Sequence, residues 1–377
     1  MLKKTIVRII SFCMIVGMAG CSKNDKKNTA NLTDSYAQIM LVRPESVKLE
    51  KNFLEGNSKV KEVILPKNYD KNIEKTIEEI ASFADNDKVK SIIICSDKDG
   101  LLPVFSKINK KNDSIMTVAA GIEEMQNKEK RNEVETDEFV TMGFNPTDTD
   151  NNINAIRMAK IMGSKVFVNY LDSFSENDIE LQNKNKDMQS ECNRNNLKYI
   201  EVKIPNMKNE DDYKTALEFI KKDAIEKKKT YGEDVSLYGS RDIMDRGCIE
   251  AALENRLMVP NIHSIDSTKL YSDILDINIK SSESDDYKKI NDEISKKLKS
   301  LNMEARLAGT EIPEKTFCVE VAVDTMTRLF SEKTDEAIVF GEMQKNIKEK
   351  TGILAEYKKV RYDKNFFKVV EMYPILY

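Results

Sequence analysis

The chain has a single histidine, His263, which excludes multi-histidine metal centres and the H-E-x-x-H helix of metalloproteases. Ser264 and Asp266 stand beside it and would complete the residue types of a nucleophilic triad. Residues so close in sequence seldom converge in triad geometry, and no G-x-S-x-G elbow presents a nucleophile. No G-x-x-x-x-G-K-[ST] run occurs and no G-x-G-x-x-G follows a strand pattern, so those phosphate cradles are absent. Asp148 and Asp150 precede a helical pattern and suit a helix N-cap better than acid–base work. No catalytic residue is assigned, and neither a cofactor nor a metal is expected. The residues that could bind something follow apolar runs. They are Ser96, Asp97 and Lys98; Gly121; Phe144; Tyr170, Asp172 and Ser173; Ser240, Arg241 and Asp242; and His263 with Thr310 and Glu311. Arg241 is the strongest charged contact for an anionic ligand, with a surface ion pair as the alternative. Ser240 reads either as a helix N-cap or as a ligand contact at a helix start that welcomes anions. Tyr170 and Phe144 would line the walls of such a site or stack on a ligand. Asp97 and Lys98 would bind ligand or neutralise each other on a turn, and Gly121 serves backbone geometry.

These residues need a scaffold, and the hydrophobic pattern supplies one. Strand candidates are Ala37–Val42, Val60–Leu65, Ser91–Cys95, Ile115–Ala120, Phe139–Met142, Val166–Leu171, Tyr199–Ile204, Val235–Tyr238 and Leu257–Val259. Helical patterns alternate with them. Ile73, Ile77, Ile80 and Ala84 share one face; Tyr213, Ala216, Leu217, Ile220 and Ala224 share another; Val319, Ala322, Val323, Met326 and Phe330 a third. Alternating strands and helices predict parallel sheets covered on both faces. In such sheets ligands sit beyond the carboxyl ends of the strands, where the loops named above fall. Ile200, Val202 and Ile204 alternate with polar residues, as on a half-exposed edge. The segment from Ser281 to Ser300 reads as a charged surface helix or loop, and Phe366–Tyr377 as a closing strand of the second lobe.

Composition sets further bounds. A length of 377 residues suggests two lobes. With a formal net charge of −4 and Lys and Arg interspersed among Asp and Glu, no basic field exists to hold nucleic acid. The N-terminus carries Lys3, Lys4 and Arg8, then an apolar stretch from Ile9 to Ala19 that is short for a membrane span. Met18-Ala19-Gly20-Cys21 follows and resembles the lipobox of bacterial lipoproteins, with Met18 where Leu is usual. The resemblance implies a signal peptide over residues 1–20, lipidation at Cys21, and a polar tether over 21–33. Cys95, Cys192, Cys248 and Cys318 show no C-x-x-C spacing and read as buried free thiols.

Strand and helix order resembles the type I periplasmic-binding-protein fold. Ile77–Ile94, Ala159–Tyr170 and Met188–Asn196 further resemble a family of bacterial lipoproteins that share a domain of unknown function. The resemblance extends over roughly residues 35–335. Where that family tends to carry His before the tyrosine, this chain has Asn169. The likeness implies an α/β protein of two Rossmann-like lobes with parallel sheets flanked by helices, hinged by three crossovers and closing on a ligand. The expected lobes are residues 34–145 plus about 264–335, and 146–263 plus about 336–377. The expected role is a lipid-anchored, extracytoplasmic solute-binding protein for a small polar or anionic metabolite, serving a membrane permease or a sensor. Alternatives are a cell-surface hydrolase on the same fold, a scaffold lipoprotein with a vestigial cleft, and a regulator's effector domain.

Overall fold

A computed structural model describes residues 38–122, 139–146, 151–172, 179–205, 212–264, 266–330, 355–359, 366–372 and 374–377. The expected signal peptide, Cys21, Asp148, Asp150 and Ser173 lie outside these residues. In chain order, strands β1 (Gln38–Pro44) and β2 (Val60–Leu65) precede helix α1 (Ile73–Ser82), β3 (Val89–Ile94), α2 (Pro103–Lys111), β4 (Met116–Ala120) and β5 (Met142–Pro146). Next come α3 (Asn151–Ile161), β6 (Val166–Leu171), α4 (Ile179–Arg194), β7 (Lys198–Lys203), α5 (Tyr213–Tyr231), β8 (Val235–Gly239) and α6 (Asp245–Asn255). The remainder is α7 (Ser267–Ile274), α8 (Tyr287–Ser300), β9 (Ala308–Gly309), α9 (Glu314–Leu329), β10 (Ala355–Lys359), β11 (Phe366–Met372) and β12 (Ile375–Leu376). No helix among the described residues is long and apolar enough to cross a membrane.

The chain forms two units, residues 1–146 with 315–370 and residues 147–314 with 371–377. It therefore passes from one to the other three times. The first unit holds a seven-stranded sheet in the order β10-β11-β5-β4-β3-β1-β2. Strands β1 to β5 and β11 pair in parallel, with Leu41 opposite Glu62 on one side and Ile93 on the other. Strand β3 ends in an unbroken buried run, Ile92-Ile93-Ile94, as expected where a strand is covered on both faces. The helical stripe of α1 works as the spacing predicts: Ile77 and Ile80, with Ala84 in the 3-10 turn that follows, are buried with Phe105 and Ile108 of α2, and Ile73 packs against them. Helix α9 is buried nearly all round, and Val319, Ala322, Val323, Met326 and Phe330 all lie in the core.

The second unit is organised on a parallel sheet in the order β7-β6-β8. It continues through single parallel bridges, Ser236 to Met258 and Val259 to Leu307, and β9 pairs antiparallel with β12. Strand β7 is the edge, and each of its residues is exposed or half-buried. Ala216, Ile220 and Ala224 of α5 are buried, whereas Tyr213, the first residue of that helix, is exposed. The charged segment after Ser281 contains α8, whose Tyr287, Ile290, Ile294 and Leu298 form a buried stripe.

Two boundaries differ from the expected ones. Residues 264–314 belong with the second unit, because Leu307 bridges Val259 and β9 joins β12. The loosening of pattern after Pro260 is a local feature, while unit membership is decided by these distant pairings. Likewise the C-terminal tail is divided: β11 pairs with β5 in the first unit and only residues 371–377 join the second. Strand β5 also sits later than Phe139–Met142, which moves Phe144 from a loop into a strand.

Candidate functional site

In the first unit, Ser96, Asp97 and Lys98 follow β3. Ser96 is buried, and its carbonyl accepts a hydrogen bond from Lys315 Nζ at 3.0 Å. Asp97 accepts from Tyr69 Oη at 3.0 Å and from Ser46 Oγ at 2.5 Å. Lys98 reaches Asp70 Oδ1 at 2.7 Å and the Lys67 carbonyl at 2.9 Å. Asp97 and Lys98 thus each have partners elsewhere and do not neutralise one another on their turn. Burial, reinforced by the Asp97 carboxylate, pushes the Tyr69 phenol up, so it remains a donor.

Gly121 follows β4 with φ of +67°, the left-handed region that favours glycine. A Cβ there would lie 3.2 Å from Lys315 Cγ, so the same glycine makes room for the lysine stem. Lys315 is the residue that the sequence reading overlooked. It lies four positions before Val319, on the same stripe of α9, and a lysine on a buried stripe is itself a signal. It is buried beside Ser96 and Gly121 at the carboxyl edge of this sheet. Phe144 is fully buried inside β5; it is a core side chain and lines no loop.

In the second unit, β6 and β8 end side by side, with Ser240 N donating to the Tyr170 carbonyl at 2.9 Å. Asp172 follows β6 and Arg241 follows β8. Arg241 Nε lies 2.7 Å from Asp172 Oδ2; the carboxylate side chain is 1% exposed and the arginine side chain 36%. The pair joins two expected candidates at the strand ends, with the guanidinium partly exposed to solvent. Gly239, just before it, admits no side chain, since a Cβ would come within 2.4 Å of Met244 Cβ.

Other candidates separate from this pair. Tyr170 is fully buried and donates to Asp223 Oδ2 at 3.0 Å, so it is a core tyrosine and not a stacking platform. Burial, helped by Asp223, raises its phenol well above the ordinary range. Ser240 caps no α-helix: Asp242–Met244 is a short 3-10 turn, and Ser240 Oγ makes only a long contact to Met244 Sδ. Asp242 is exposed and accepts from its neighbour Ile243 N. Asp266 caps α7 by accepting from Lys269 N at 2.9 Å, which accounts for it without a triad. Glu311 offers its carbonyl to Asn291 Nδ2.

His263 belongs to a separate network. Its Nε2 lies 2.9 Å from Tyr238 Oη, which donates to Asn152 Oδ1. Asp245, fully buried at the start of α6, accepts from the backbone N–H groups of His263 and Ser264 at 2.8 and 2.7 Å. Burial raises the Asp245 carboxyl, with His263 pulling it back down. The spacing between Asp245 and His263 carries no sequence signal. The four thiols, Cys95, Cys192, Cys248 and Cys318, are buried and free; burial pushes Cys192 up to about 12 and Cys248 well above its ordinary value. Among the described residues no cluster of His, Cys, Asp and Glu could hold a metal.

Parallel sheets flanked by helices, in two units threaded three times, define a type I periplasmic-binding-protein-like fold. Over residues 29–308 the chain matches the family described as Protein of unknown function (DUF3798), and it belongs to that family. No curated protein matches it. Among solved structures, a proposed transcriptional regulator from Clostridium difficile 630 superposes with a TM-score of 0.77 at 23% identity, over 90% of this chain and 99% of that one. A substrate-binding protein of a sugar ABC transport system from Bordetella parapertussis 12822 gives 0.44 at 11% identity, over 92% and 93% of the two chains. A solute-binding protein from Clostridium phytofermentans with bound β-D-glucose gives 0.40 at 11%, over 90% and 93%.

Proposed function

We propose that the protein is a lipid-anchored, extracytoplasmic solute-binding protein whose two units close on a small polar or anionic metabolite. The observation that carries this is the Arg241–Asp172 pair at the strand ends of the second unit. A buried carboxylate holds the guanidinium in one place, and its partial exposure lets a solute anion or carbonyl reach a donor fork already oriented. Buried Lys315 supplies a second cation at the carboxyl edge of the other sheet. Closure would be a hinge motion stabilised by the ligand's greater affinity for the closed form. The bound solute would then be handed to a membrane permease or would report its presence. The lipobox at Cys21 supports anchoring at the outer face of the cytoplasmic membrane.

The test is thermal unfolding against nucleosides, amino acids, sugars and small anions. A ligand at a hundred times its dissociation constant stabilises the native state by about 2.7 kcal/mol, a shift of a few degrees for a chain this size. A saturable shift that disappears in Arg241→Ala supports the proposal; a flat response across the panel refutes solute binding. Anchoring is tested separately by labelling cells with a fatty-acid analogue, and incorporation that persists in Cys21→Ala refutes it.

A further inference from the structure

Helix α4 carries its packing stripe at residues 181, 185, 188 and 192. Met188 and Cys192 are buried in a cluster with Phe167 and Leu197, as that spacing requires. Position 185 breaks the rule, because it is Asn. Facing it, in the central strand of the sheet, is a second amide, Asn169, which is fully buried. Asn169 Nδ2 donates to Asn185 Oδ1 at 3.2 Å and to Tyr199 Oη at 2.9 Å. Asn169 Oδ1 is buried and has no hydrogen-bond partner among the described residues. Two apolar side chains would fill these positions without leaving an acceptor unmet, so the amides cost stability where they stand.

A cavity of about 280 Å³ opens over this network. Asn185 and Tyr199 line it, together with Gln182 and Gln189 of α4, Asp172 at the end of β6 and Glu201 of the edge strand β7. The volume is at the small end for ligand pockets, sized for a metabolite. Donor and acceptor accounting describes the occupant. Tyr199 accepts from Asn169, which leaves its O–H to donate; burial pushes its phenol up to about 12, so that proton stays on. Asn185 uses its carbonyl oxygen on Asn169, which leaves its amide N–H groups to donate. Asn169 is fully buried behind these two residues and does not line the cavity; the acceptor that a solute's donor meets there is the Glu201 carboxylate. Lys186 and Lys203 also stand on the rim, while the Asp172 carboxylate there is already paired with Arg241.

We infer that this groove between α4 and β7 is a second binding site, taking a small polar solute that carries an O–H or N–H donor beside an acceptor. Sugar hydroxyls and primary amides share that chemistry. The site shares Asp172 with the Arg241 pair, but Asn185 and Tyr199 belong to it alone, so loss of binding on changing them is distinguishable from failure of the proposed function.

The experiment follows the side-chain amide resonances of Asn169 and Asn185 in the full chain during titration with D-glucose, with nicotinamide and, as the ionic comparison, with acetate. A saturable shift with either neutral probe is expected. Tyr199→Phe, which deletes one donor, raises the dissociation constant about three- to tenfold. The double variant Asn169→Leu with Asn185→Leu melts no lower than the parent and loses the probe-dependent rise in melting temperature. The inference is overturned by an absence of saturable shift with both neutral probes, by saturation with acetate alone, or by equal affinity in Tyr199→Phe. If the double variant does not fold, Tyr199→Phe decides.

Discussion

Replacing Arg241 with Ala tests the arrangement on which the proposed function rests. The Asp172 side chain is 1% exposed, and its Oδ2 lies 2.7 Å from Arg241 Nε. Removing one member of a fully buried pair costs about 3–5 kcal/mol, because the remaining charge is stranded. An exposed pair is worth about 0.2–1 kcal/mol. This pair has one member inside and one about a third outside, so solvent screens part of the interaction and the expected loss is about 1–3 kcal/mol. Asp172→Asn removes the stranded charge as well, so the double variant recovers part of the loss and the cycle shows positive coupling. The chain has no Trp, so urea unfolding followed by far-UV circular dichroism is the suitable assay. Unchanged m-values would place the effect in the native state. If Arg241→Ala costs less than about 0.5 kcal/mol, or if the two substitutions add independently, the carboxylate does not anchor the guanidinium. The pre-oriented fork would then be lost as an argument for ligand recognition.

Three further outcomes follow from buried groups. The Asp245 carboxyl is raised by burial; the folded state therefore holds its proton more tightly than the unfolded chain, and this residue's contribution falls as pH rises above about 3.9. Asp245→Asn keeps an acceptor for the two backbone N–H groups and removes that slope, so its stability relative to the parent should improve between acid and neutral pH; an identical pH profile would contradict this. The four buried thiols should resist alkylation in the folded protein and react together on unfolding, and rapid native labelling of Cys192 would show its environment to be misread. Gly121→Ala forces a left-handed residue with a side chain against Lys315 and should cost about 1–3 kcal/mol in urea unfolding; a neutral result would mean that the lysine stem moves aside.

Much of the architecture was legible because periodicity is local. Val60–Leu65 and Val166–Leu171 have the bounds their apolar pattern implies, and Ile77, Ile80 and Ala84 reach the core from helical spacing alone. The failures are equally physical. Phe139-Val140-Thr141-Met142-Gly143-Phe144 is apolar at both ends, and only pairing with β4 and β11 decides that the strand occupies its later half. The return of the chain at residue 315 depends on where Leu307 and Ile375 find partners, which no window of sequence contains. Tyr170 was placed at the strand end correctly, but whether it faces solvent or Asp223 is a question of which side of the sheet α5 covers.

The more useful signal was present and lay in the exceptions to the pattern. Lys315 occupies a stripe position on α9, Asn185 one on α4, and Asn169 the middle of an otherwise apolar strand. At each an apolar residue would pack at lower cost, since burying a polar group gains nothing unless its bonds are met. Reading for loops at strand ends found Asp172 and Arg241, because the fold dictates that ligands gather there. Reading for polar residues that violate a buried periodicity would also have found Lys315 and the two amides, with no assumption about where a ligand belongs. The two criteria make different claims. If Arg241→Ala abolishes solute binding while the paired leucine substitutions leave every titration unchanged, position in the fold predicts function here and the buried amides are structural. If both perturbations remove binding of different solutes, the broken pattern has located a site that fold position alone would have missed.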